Sequence, residues 1–358
     1  MVVIMVPVSW SVGQALTMTG GGSIAERLAE WARDHYLGPV ITLAEWVVYT
    51  PPKVGGKPSF SLAGPGVKVA APHAHHSAKP NPVYAPPAPL TSMAGRALPG
   101  EGQWRVLGSV NGVPAIYGTY LRPSRVYSSY VAGIVSMNPS LLSFQLRPGA
   151  EDPGPGNWKT PDYIPAGTRR GLLATFNGGF KIAVCGGGFY LNGVTRGTLT
   201  PGVASVVYYR DGQIAIGNWD QTVSMNSNVV GVRQNLHLIV RNGHVPASVN
   251  YNVEASWGAT LGGSYYVWRS GLGITKNGRV IYVYGPALDV RELADLLQHA
   301  GAVTAMQLDI NPDWMSYMYY LHPQRANPRP VNLLPDQYQP PYRYYAPASR
   351  DFTAVYAK

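Results

Sequence analysis

Residues 301–314 read Gly301-Ala-Val-Thr-Ala-Met-Gln-Leu-Asp-Ile-Asn-Pro-Asp-Trp314, a run that predicts a buried strand ending at an acid. The strand would extend to Leu308, with Asp309 at its exit and Asp313 in the Pro-containing turn beyond it. A carboxylate at the end of a buried strand costs free energy unless it binds a ligand or takes part in chemistry. This segment is therefore the first place to look for a functional site.

The residues before this run predict a strand and a helix. Arg279–Tyr284 is β-branched and aromatic, and Gly285-Pro286 should end that strand. Asp289 and Glu292 fit a capping box, and the apolar residues after them recur at helical spacing. Strand, helix and strand thus form a β-α-β unit. Asp309 lies at the exit of its last strand, where ligands of such units commonly bind.

Three further segments have the pattern of β-hairpins. Asp211-Gly212, Asn242-Gly243 and Asn277-Gly278 each separate two β-branched runs, and such dipeptides favour tight turns between antiparallel strands. Gly (41) and Pro (32) are abundant whereas charged residues make up only 13%, which is typical of a β-rich, turn-rich protein. The predicted fold class is α+β, with a large mixed, mostly antiparallel sheet, hairpins and a β-α-β unit.

Composition divides the chain into five parts. Residues 1–19 carry no charge and predict a transmembrane anchor, with a signal-peptide segment or a buried helix as alternatives. Residues 20–50 would form a juxtamembrane helical segment and residues 51–102 a Pro-rich linker. Residues 103–320 would form the main domain, and residues 321–358 a Tyr- and Pro-rich tail wrapping its surface. We expect a cell-membrane protein with an extracytoplasmic domain on a stalk, although basic residues after the anchor favour the cytoplasmic side.

Charge and residue usage restrict the partners. The net charge of +10 favours anionic partners, but Lys and Arg are scattered and no nucleic-acid module is present, so no nucleic acid is expected. The single cysteine, Cys185, precludes an intramolecular disulfide and is interpreted as a buried, inert thiol. Tyr (24) far outnumbers Phe (6), which suits carbohydrate binding, although amphipathic Tyr at strand surfaces explains it equally well.

A glycine-rich segment supplies a second group of site residues. It begins with Asn177-Gly-Gly-Phe180, continues with Lys181 and reaches Tyr190 after a second glycine cluster. Glycines flanked by aromatics let backbone amides approach a ligand closely. Asn177 and Lys181 could contact sugar hydroxyls or a phosphate, and a glycine-rich hairpin with bulges is the purely structural alternative.

A third segment contains Arg269 and Ser270 after several aromatic residues. An Arg at the mouth of a strand can clamp an anion, although a surface Arg stacked on Trp268 would have the same sequence. Few acids remain for acid–base chemistry, and Asp309 with Asp313 is the obvious pair. The alternative is that Asp313 only caps the turn after Pro312.

A divalent cation is a further alternative at the 309–314 turn. Asp309, Asn311 and Asp313 alternate in a way that could supply oxygen ligands to Ca²⁺ or Mg²⁺. No Gly or later Glu completes a calcium loop, so the metal assignment stays open, with Asp309 and Asp313 as its potential ligands.

These three segments, in this order, resemble the phosphodiester glycosidase family, here in a divergent bacterial branch. Asn177–Phe180 matches an Asn-Gly-Gly-Phe motif, and Arg269–Gly273 loosely matches Arg-Thr-Ala-x-Gly. A final strand leads to Leu308-Asp309, but the Gly-Gly-Gly-Ser that follows in the family is Ile310–Asp313 here. The resemblance spans 172–314, and the departure beside the acid leaves the substrate open.

The resemblance implies a membrane-tethered hydrolase acting on a carbohydrate or sugar-phosphate substrate. Attack at the anomeric carbon would leave a free sugar and a phosphate monoester. Asp309 would be the catalytic carboxylate or orient the sugar, Asp313 would be acid, base or metal ligand, and Arg269 would neutralise phosphate charge. The expected substrate-binding residues are Asn177, Phe180, Lys181, Tyr190, Ser270, Asn311 and Trp314.

Two other functions remain open. The chain could be a non-catalytic glycan-binding module of the cell envelope, which the altered motif after Asp309 favours. It could also be a glycoside hydrolase acting on a cell-wall glycan or exopolysaccharide without phosphate.

Overall fold

The computed structural model of the protein describes residues 9–13, 16–17, 24, 28, 31–32, 50–64, 67–68, 85–251, 253–258 and 265–358. The predicted anchor (1–19) and juxtamembrane segment (20–50) lie largely outside these ranges. Their described residues before residue 50 are helical. Within the described ranges, no helix combines the length and the apolar character that crossing a bilayer requires.

The described residues form three antiparallel sheets. The largest has eight strands, in spatial order β1 (Val67–Lys68), β2 (Arg105–Val110), β3 (Val113–Leu121), β4 (Ala132–Met137), β14 (Val280–Leu288), β13 (Val267–Thr275), β15 (Ala302–Gln307) and β12 (Leu238–Val240). A second has five strands, in order β10 (Ile214–Asn218), β9 (Ala204–Tyr209), β11 (Val229–Gln234), β7 (Phe189–Leu191) and β8 (Val194–Arg196). The third has β17 (Arg329–Asn332), β16 (Tyr317–Leu321), β6 (Leu172–Asn177), β18 (Phe352–Ala357) and β5 (Leu142–Arg147). The predicted α+β fold with mostly antiparallel strands is confirmed.

Helices are short and few in the described ranges. The α-helices after residue 250 are α1 (Glu254–Trp257) and α2 (Val290–His299). In the part of the chain that the structure describes, 3₁₀-helix occurs at Ala166–Thr168, Ala247–Asn250 and Arg343–Tyr345.

The predicted β-α-β unit is present as β14, α2 and β15. Asp289 caps α2 by accepting a hydrogen bond from the amide of Glu292, and the Glu292 side chain accepts one from the amide of Asp289, as the capping-box pattern predicted. Strands β14 and β15 both pair antiparallel with β13, which lies between them, so they run parallel to each other. The unit therefore carries the chain over β13 and brings the end of β15 beside the middle of β13.

Strand β14 extends beyond its predicted end. Gly285 and Pro286 were expected to terminate it, but the strand continues to Leu288. The β13–β14 register shifts between Val267 and Arg269, opposite this part of β14. Pro286 is tolerated because a bulged stretch has no regular ladder hydrogen bond for it to interrupt.

One hydrophobic core fills the space between the three sheets. It combines Tyr282 of the largest sheet with Val206 of the second and Phe176 of the third, all at most 1% exposed. A second cluster lies on the other face of the largest sheet, where Leu293 and Leu297 of α2 pack over Ile281. Each face of the largest sheet therefore packs against its own hydrophobic cluster. Because consecutive residues of a strand face opposite sides, neighbouring side chains of β13 lie in different clusters.

Two parts of the chain are more closely integrated than their composition indicated. Leu62, inside the predicted linker 51–102, is 3% exposed in the central core, and Glu101 forms a buried ion pair of 2.9 Å with Arg122. The expected surface tail, 321–358, instead contributes β17 and β18, and β18 lies between β6 and β5. Its run Phe352–Ala357 alternates aromatic, β-branched and small residues, which suits an interior strand better than a surface wrap.

Candidate active site

Three distant segments meet at the end of β15. The Asn177 side-chain amide, at the end of β6, donates to Ser270 Oγ at 3.1 Å. Ser270, on β13, in turn donates from Oγ and from its backbone amide to the Asp309 carbonyl, each at 3.0 Å. The glycine-rich, arginine and acidic segments singled out in the sequence therefore form one hydrogen-bonded network.

Asn177 is the centre of this network. Its Oδ1 accepts from the Tyr282 hydroxyl at 2.6 Å and from the Ser316 amide at 3.2 Å, and its Nδ2 also donates to the Gly178 carbonyl at 2.8 Å. The residue is only 3% exposed. These contacts fix Asn177 in place, and its predicted contact with substrate stays a prediction.

Asp309 is buried at the strand exit, as the sequence predicted. Its Oδ1 accepts from the amides of Ile310 (2.7 Å) and Asn311 (2.9 Å), so the carboxyl is fixed by the turn that follows it. Within the described part of the chain, no hydrogen bond to Oδ2 is seen. Burial raises the pKa of the Asp309 carboxyl to about 6, and the two amides and the nearby Arg350 offset only part of that rise. A carboxyl with such a pKa can hold or release a proton near neutral pH.

The turn after Asp309 is supported by side-chain hydrogen bonds. Asn311 Oδ1 accepts from the Asp313 amide at 2.9 Å, an Asx turn, and the Asp313 carbonyl accepts from Gln339 and from Arg343 Nη1 (3.3 Å). Asp313 is partly exposed, whereas Trp314 is 4% exposed. The C-terminal part of the chain thus supports the loop that carries the second candidate acid.

Arg269 lies on the opposite face of β13 from Ser270. A Cβ at Gly271, two residues on, would touch Leu297 of α2, which places Arg269 on the helix side of the sheet. Its guanidinium donates to the Leu288 carbonyl (2.9 Å), Gln307 Oε1 (2.9 Å) and the Tyr265 carbonyl (3.3 Å). Burial lowers the pKa of Arg269 to about 10. The structure therefore places Ser270, and not Arg269, in the Asn177–Asp309 network, and the predicted phosphate contact of Arg269 stays a prediction.

The glycine motif is packed too closely for side chains. A Cβ at Gly178 would lie 2.0 Å from Asp351 Oδ2, and one at Gly179 would lie 2.9 Å from Asn235 Oδ1. Asn235 itself links the motif to β15, because its Oδ1 accepts from the Phe180 amide and its Nδ2 donates to the Leu308 carbonyl. The two glycines allow the motif to lie against these polar side chains.

The predicted binding residues of the glycine-rich segment do not all lie near Asp309. Phe180 is 8% exposed and clusters with Cys185 and Ile310, beside Asp309. Cys185 is fully buried, as predicted. Lys181 follows Phe180 and is partly exposed. Tyr190, by contrast, packs in a different cluster around Trp219, so it is not brought to the Asp309 network.

Substituting Gly178 by Ala should strongly destabilise the protein. The new Cβ would meet Asp351 Oδ2 at 2.0 Å and the Asp351 carbonyl oxygen at 2.8 Å. Arg233 holds the carboxylate, and the carbonyl accepts a hydrogen bond from the Gly178 amide, so neither atom can move away easily. We expect the free energy of unfolding, measured by urea denaturation, to fall by at least ~3 kcal/mol. Gly167→Ala is the control, since nothing lies within 4 Å of a Cβ there. Equal losses in the two variants would contradict this account of the motif.

Sequence reasoning missed a buried ion pair behind the glycine motif. Arg233, on β11, donates from Nε to both carboxylate oxygens of Asp351, at 3.1 and 3.0 Å, and both residues are 1% exposed. Although burial opposes its charge, the attraction of Asp351 holds the pKa of Arg233 above its ordinary value. The sequence feature that could have predicted this pair is an Arg within the apolar strand Val229–Gln234, because a buried arginine requires a partner.

Two further arginines of the C-terminal part also lie near the site. The guanidinium carbons of Arg343 and Arg350 lie 5.1 and 4.9 Å from the centroid of the Trp314 ring. Each arginine is 6% exposed. Arg343 and Arg350 were not among the predicted site residues, because the Tyr- and Pro-rich composition around them indicated a surface tail.

Potential metal ligands are sparse. In the described ranges, no group of three or more His, Cys, Asp or Glu side chains is arranged to hold a metal ion. Asp309 directs Oδ1 to two backbone amides, which occupy one of the oxygens a cation would need. The Ca²⁺ or Mg²⁺ site at Asp309 and Asp313 stays a prediction.

Comparison with known families confirms the resemblance. Residues 170–309 match the family model described as phosphodiester glycosidase. The matched segment contains Asn177, Ser270 and Asp309 and ends at Asp309. It supports a glycosidase-type function and a sugar-type substrate. The loop from Ile310 onward, β16 and the C-terminal strands lie outside it.

Solved structures show more distant similarity. The zebrafish N-acetylglucosamine-1-phosphodiester alpha-N-acetylglucosaminidase catalytic domain, auto-inhibited by its pro-peptide, has a TM-score of 0.42 and 13% identity over 72% of this chain and 88% of that chain. A hypothetical protein from Synechocystis has a TM-score of 0.39 and 12% identity over 72% of this chain and 64% of that chain. None of the curated proteins matches the chain.

Proposed function

We propose that this protein is a hydrolase that cleaves the glycosidic bond of a sugar phosphodiester. Asp309 is the general acid and Asp313 is the base that activates water. The protonated Asp309 carboxyl donates its proton to the oxygen between the anomeric carbon and phosphorus. Water adds to the anomeric carbon as that C–O bond breaks, and Asp313 takes the proton of the water. The products are a free sugar and a phosphate monoester.

One observation carries this proposal: the carboxyl of Asp309 is buried where the glycine-rich and Arg269–Ser270 segments converge. Its pKa is raised to about 6 by burial, so the protonated acid persists closer to neutral pH than an exposed Asp would allow. The family match of residues 170–309, which ends at Asp309, supports the same chemistry. Asp313, partly exposed on the adjacent turn, is the second carboxyl of the predicted pair.

The proposal is tested by turnover. The purified chain would be incubated with a panel of sugar-1-phosphodiesters, with matching neutral glycosides in parallel, and free sugar would be quantified. We expect release from at least one phosphodiester. Release from neutral glycosides alone would favour the glycan hydrolase without phosphate, and binding without release would favour the glycan-binding module.

The pH dependence of kcat/KM should follow the protonation of the Asp309 carboxyl. Because the group acts as a proton donor, activity should be retained below its pKa and fall as pH rises through about 6. The measurement is kcat/KM between pH 4 and 9 on a responsive phosphodiester. A limb that rises through the same region would assign Asp309 to a nucleophile or base and contradict the acid role.

A further inference from the structure

Trp268 and Tyr338 form an aromatic pair beside the candidate site. Their ring centroids lie 6.1 Å apart, with the ring planes tilted by 54°. Trp268 is half-buried and Tyr338 is 64% exposed, so both rings present area to solvent. A single exposed aromatic residue needs no explanation, but the position of this pair and its unused polar groups do.

The backbone of β13 connects Trp268 to Asp309. Trp268 lies two residues before Ser270 and packs against the central hydrophobic core, so its side chain is on the same side of the sheet as that of Ser270. Ser270 donates to the Asp309 carbonyl from Oγ and from its amide, each at 3.0 Å. Trp268 is therefore two strand positions, roughly 7 Å, from the residue that holds Asp309.

Hydrogen bonds connect Tyr338 to the turn that carries Asp313. Its neighbours Gln337 and Gln339 are 7% and 8% exposed, and Gln339 donates from its side chain to the Asp313 carbonyl. Gln337 accepts from the Tyr284 hydroxyl at 2.7 Å. Two buried glutamines thus hold the backbone on both sides of Tyr338 while its ring faces solvent, and the aromatic pair joins the segments that carry the two candidate acids.

The polar groups of the pair are unused. Within the described ranges, the Trp268 indole N–H and the Tyr338 hydroxyl form no hydrogen bond, and neither is a buried unpartnered atom, so both are open to solvent. By contrast, the indole N–H groups of Trp104, Trp158 and Trp257 each donate to a backbone carbonyl. Trp268 and Tyr338 thus offer a ligand two ring faces, one N–H donor and one hydroxyl.

A sugar ring has the chemistry that this pair fits. One face of a pyranose carries C–H groups that pack on an aromatic ring, and its edge carries hydroxyls that pair with an indole N–H and a phenol. Neither residue supplies a charge, so the pair itself does not select an anion. The family match of residues 170–309 supports a sugar-type substrate. Because the pair is continuous with the site, its occupant is a sugar of the substrate itself.

We propose that Trp268 and Tyr338 form a subsite for a second sugar ring of the substrate, distinct from the ring whose anomeric carbon reacts. This inference rests on the proposed function and deepens it, because it makes a glycan of at least two sugars the preferred substrate. The indole N–H and the phenol hold hydroxyls of the second ring, while the aromatic faces pack against its C–H groups. A single-sugar substrate gains none of these contacts, whether or not it carries phosphate.

Uncharged oligosaccharides are the direct probe of this subsite. The full chain would be titrated by calorimetry with linear tetrasaccharides of glucose, mannose, galactose and N-acetylglucosamine, each compared with its monosaccharide. We expect at least one tetrasaccharide to bind at least tenfold more tightly than its monosaccharide. Tyr338→Ala removes a ring contact and a hydroxyl and should weaken that binding about tenfold. Trp268→Phe keeps a ring but removes the indole donor and should weaken it by about 2–10-fold.

Tyr342→Ala is the matched control. Tyr342 is 55% exposed in the same C-terminal part of the chain, and its ring lies 5.9 Å from that of Tyr345, much as Tyr338 lies from Trp268. Tyr345 donates to the Pro328 carbonyl at 2.7 Å, beside the end of β16 that is remote from the 309–314 turn. This substitution should leave tetrasaccharide binding unchanged.

The outcomes separate this inference from the proposed function. Equal tetrasaccharide affinity of the wild type, Tyr338→Ala and Tyr342→Ala, or no tetrasaccharide binding by the wild type, would overturn the subsite. If Trp268→Phe does not fold, Tyr338→Ala alone decides, because its side chain is largely exposed. Binding that depends on Tyr338 without turnover of any phosphodiester would retain the subsite as a glycan-binding site and exclude the hydrolase. Turnover of single-sugar phosphodiesters with no gain from a longer glycan would leave the hydrolase intact and remove the subsite.

Discussion

Replacing Asp309 by Asn is expected to lower kcat on a phosphodiester substrate by about 10²–10⁴-fold while leaving substrate binding largely intact. The amide cannot supply the proton that the leaving oxygen requires. Its Oδ1 can still accept from the amides of Ile310 and Asn311, so the turn should keep its shape. Single-turnover kinetics together with binding of an uncleaved analogue would separate the chemical step from affinity.

The control is a carboxylate of the same type outside the site. Asp295 forms an exposed pair with Arg291 on α2, and Asp295→Asn should leave kcat unchanged. If Asp309→Asn retained wild-type turnover, the acid role would be excluded and the glycan-binding interpretation would gain weight.

The stability of Asp309→Asn gives an independent check. The folded-state pKa of about 6 is above the ordinary 3.8, so the folded protein binds more protons than the unfolded chain between these values. The contribution of Asp309 to stability is therefore present at low pH and is lost as pH rises through about 6. At pH 7 the variant should melt at the same temperature as the wild type or higher, so lost activity could not be attributed to unfolding.

The sequence predicted the local unit around Asp309 because its signals are local. A capping box, helical spacing and a β-branched run act over a few residues, and they placed α2 and β15 correctly. The convergence of Asn177 and Ser270 on Asp309 followed from the family resemblance, since no local rule relates residues so far apart.

Local sequence patterns could not predict which face of the sheet Arg269 lies on. Neighbouring residues of a strand face opposite sides, so Arg269 and Ser270 cannot both enter the same network. Which of them does so depends on the register between β13, β14 and β15, and that register contains a shift at Val267 and Arg269. A one-residue difference in register would exchange their roles.

The loop after Asp309 is ordered by side-chain contacts at the positions where the resemblance predicted glycines. Ile310, 7% exposed, packs with Phe180, while Asn311 and the C-terminal Arg343 hold Asp313 by its backbone. Glycines at these positions would make none of those side-chain contacts. The C-terminal strands thus supply part of the site, which the composition of residues 321–358 concealed.

Replacing Arg233 by Met should give the largest loss of stability. The variant leaves Asp351 as a buried carboxylate with its main partner removed, and it also removes donors to the carbonyls of Phe180 and Gln234. Breaking a buried pair in this way costs about 3–5 kcal/mol, because the remaining carboxylate stays buried after losing the partner that hydrogen-bonds both of its oxygens. Urea denaturation at pH 7 would measure the change in the free energy of unfolding.

A matched substitution at an exposed ion pair tests whether burial, and not the loss of charge alone, causes the loss of stability. Arg291 pairs with Asp295 at 2.9 Å, which matches the 3.0 Å between Arg233 and Asp351, but its side chain is 45% exposed compared with 2%. Arg291→Met should therefore cost only about 0.5 kcal/mol. Adding Asp351→Asn to Arg233→Met removes the orphaned charge and should recover part of the loss, leaving the cost of the unsatisfied carbonyls. If Arg233→Met and Arg291→Met lost equal stability, burial of the Arg233–Asp351 pair would not explain its contribution. The account of how Asp351 is held against Gly178 would then be wrong.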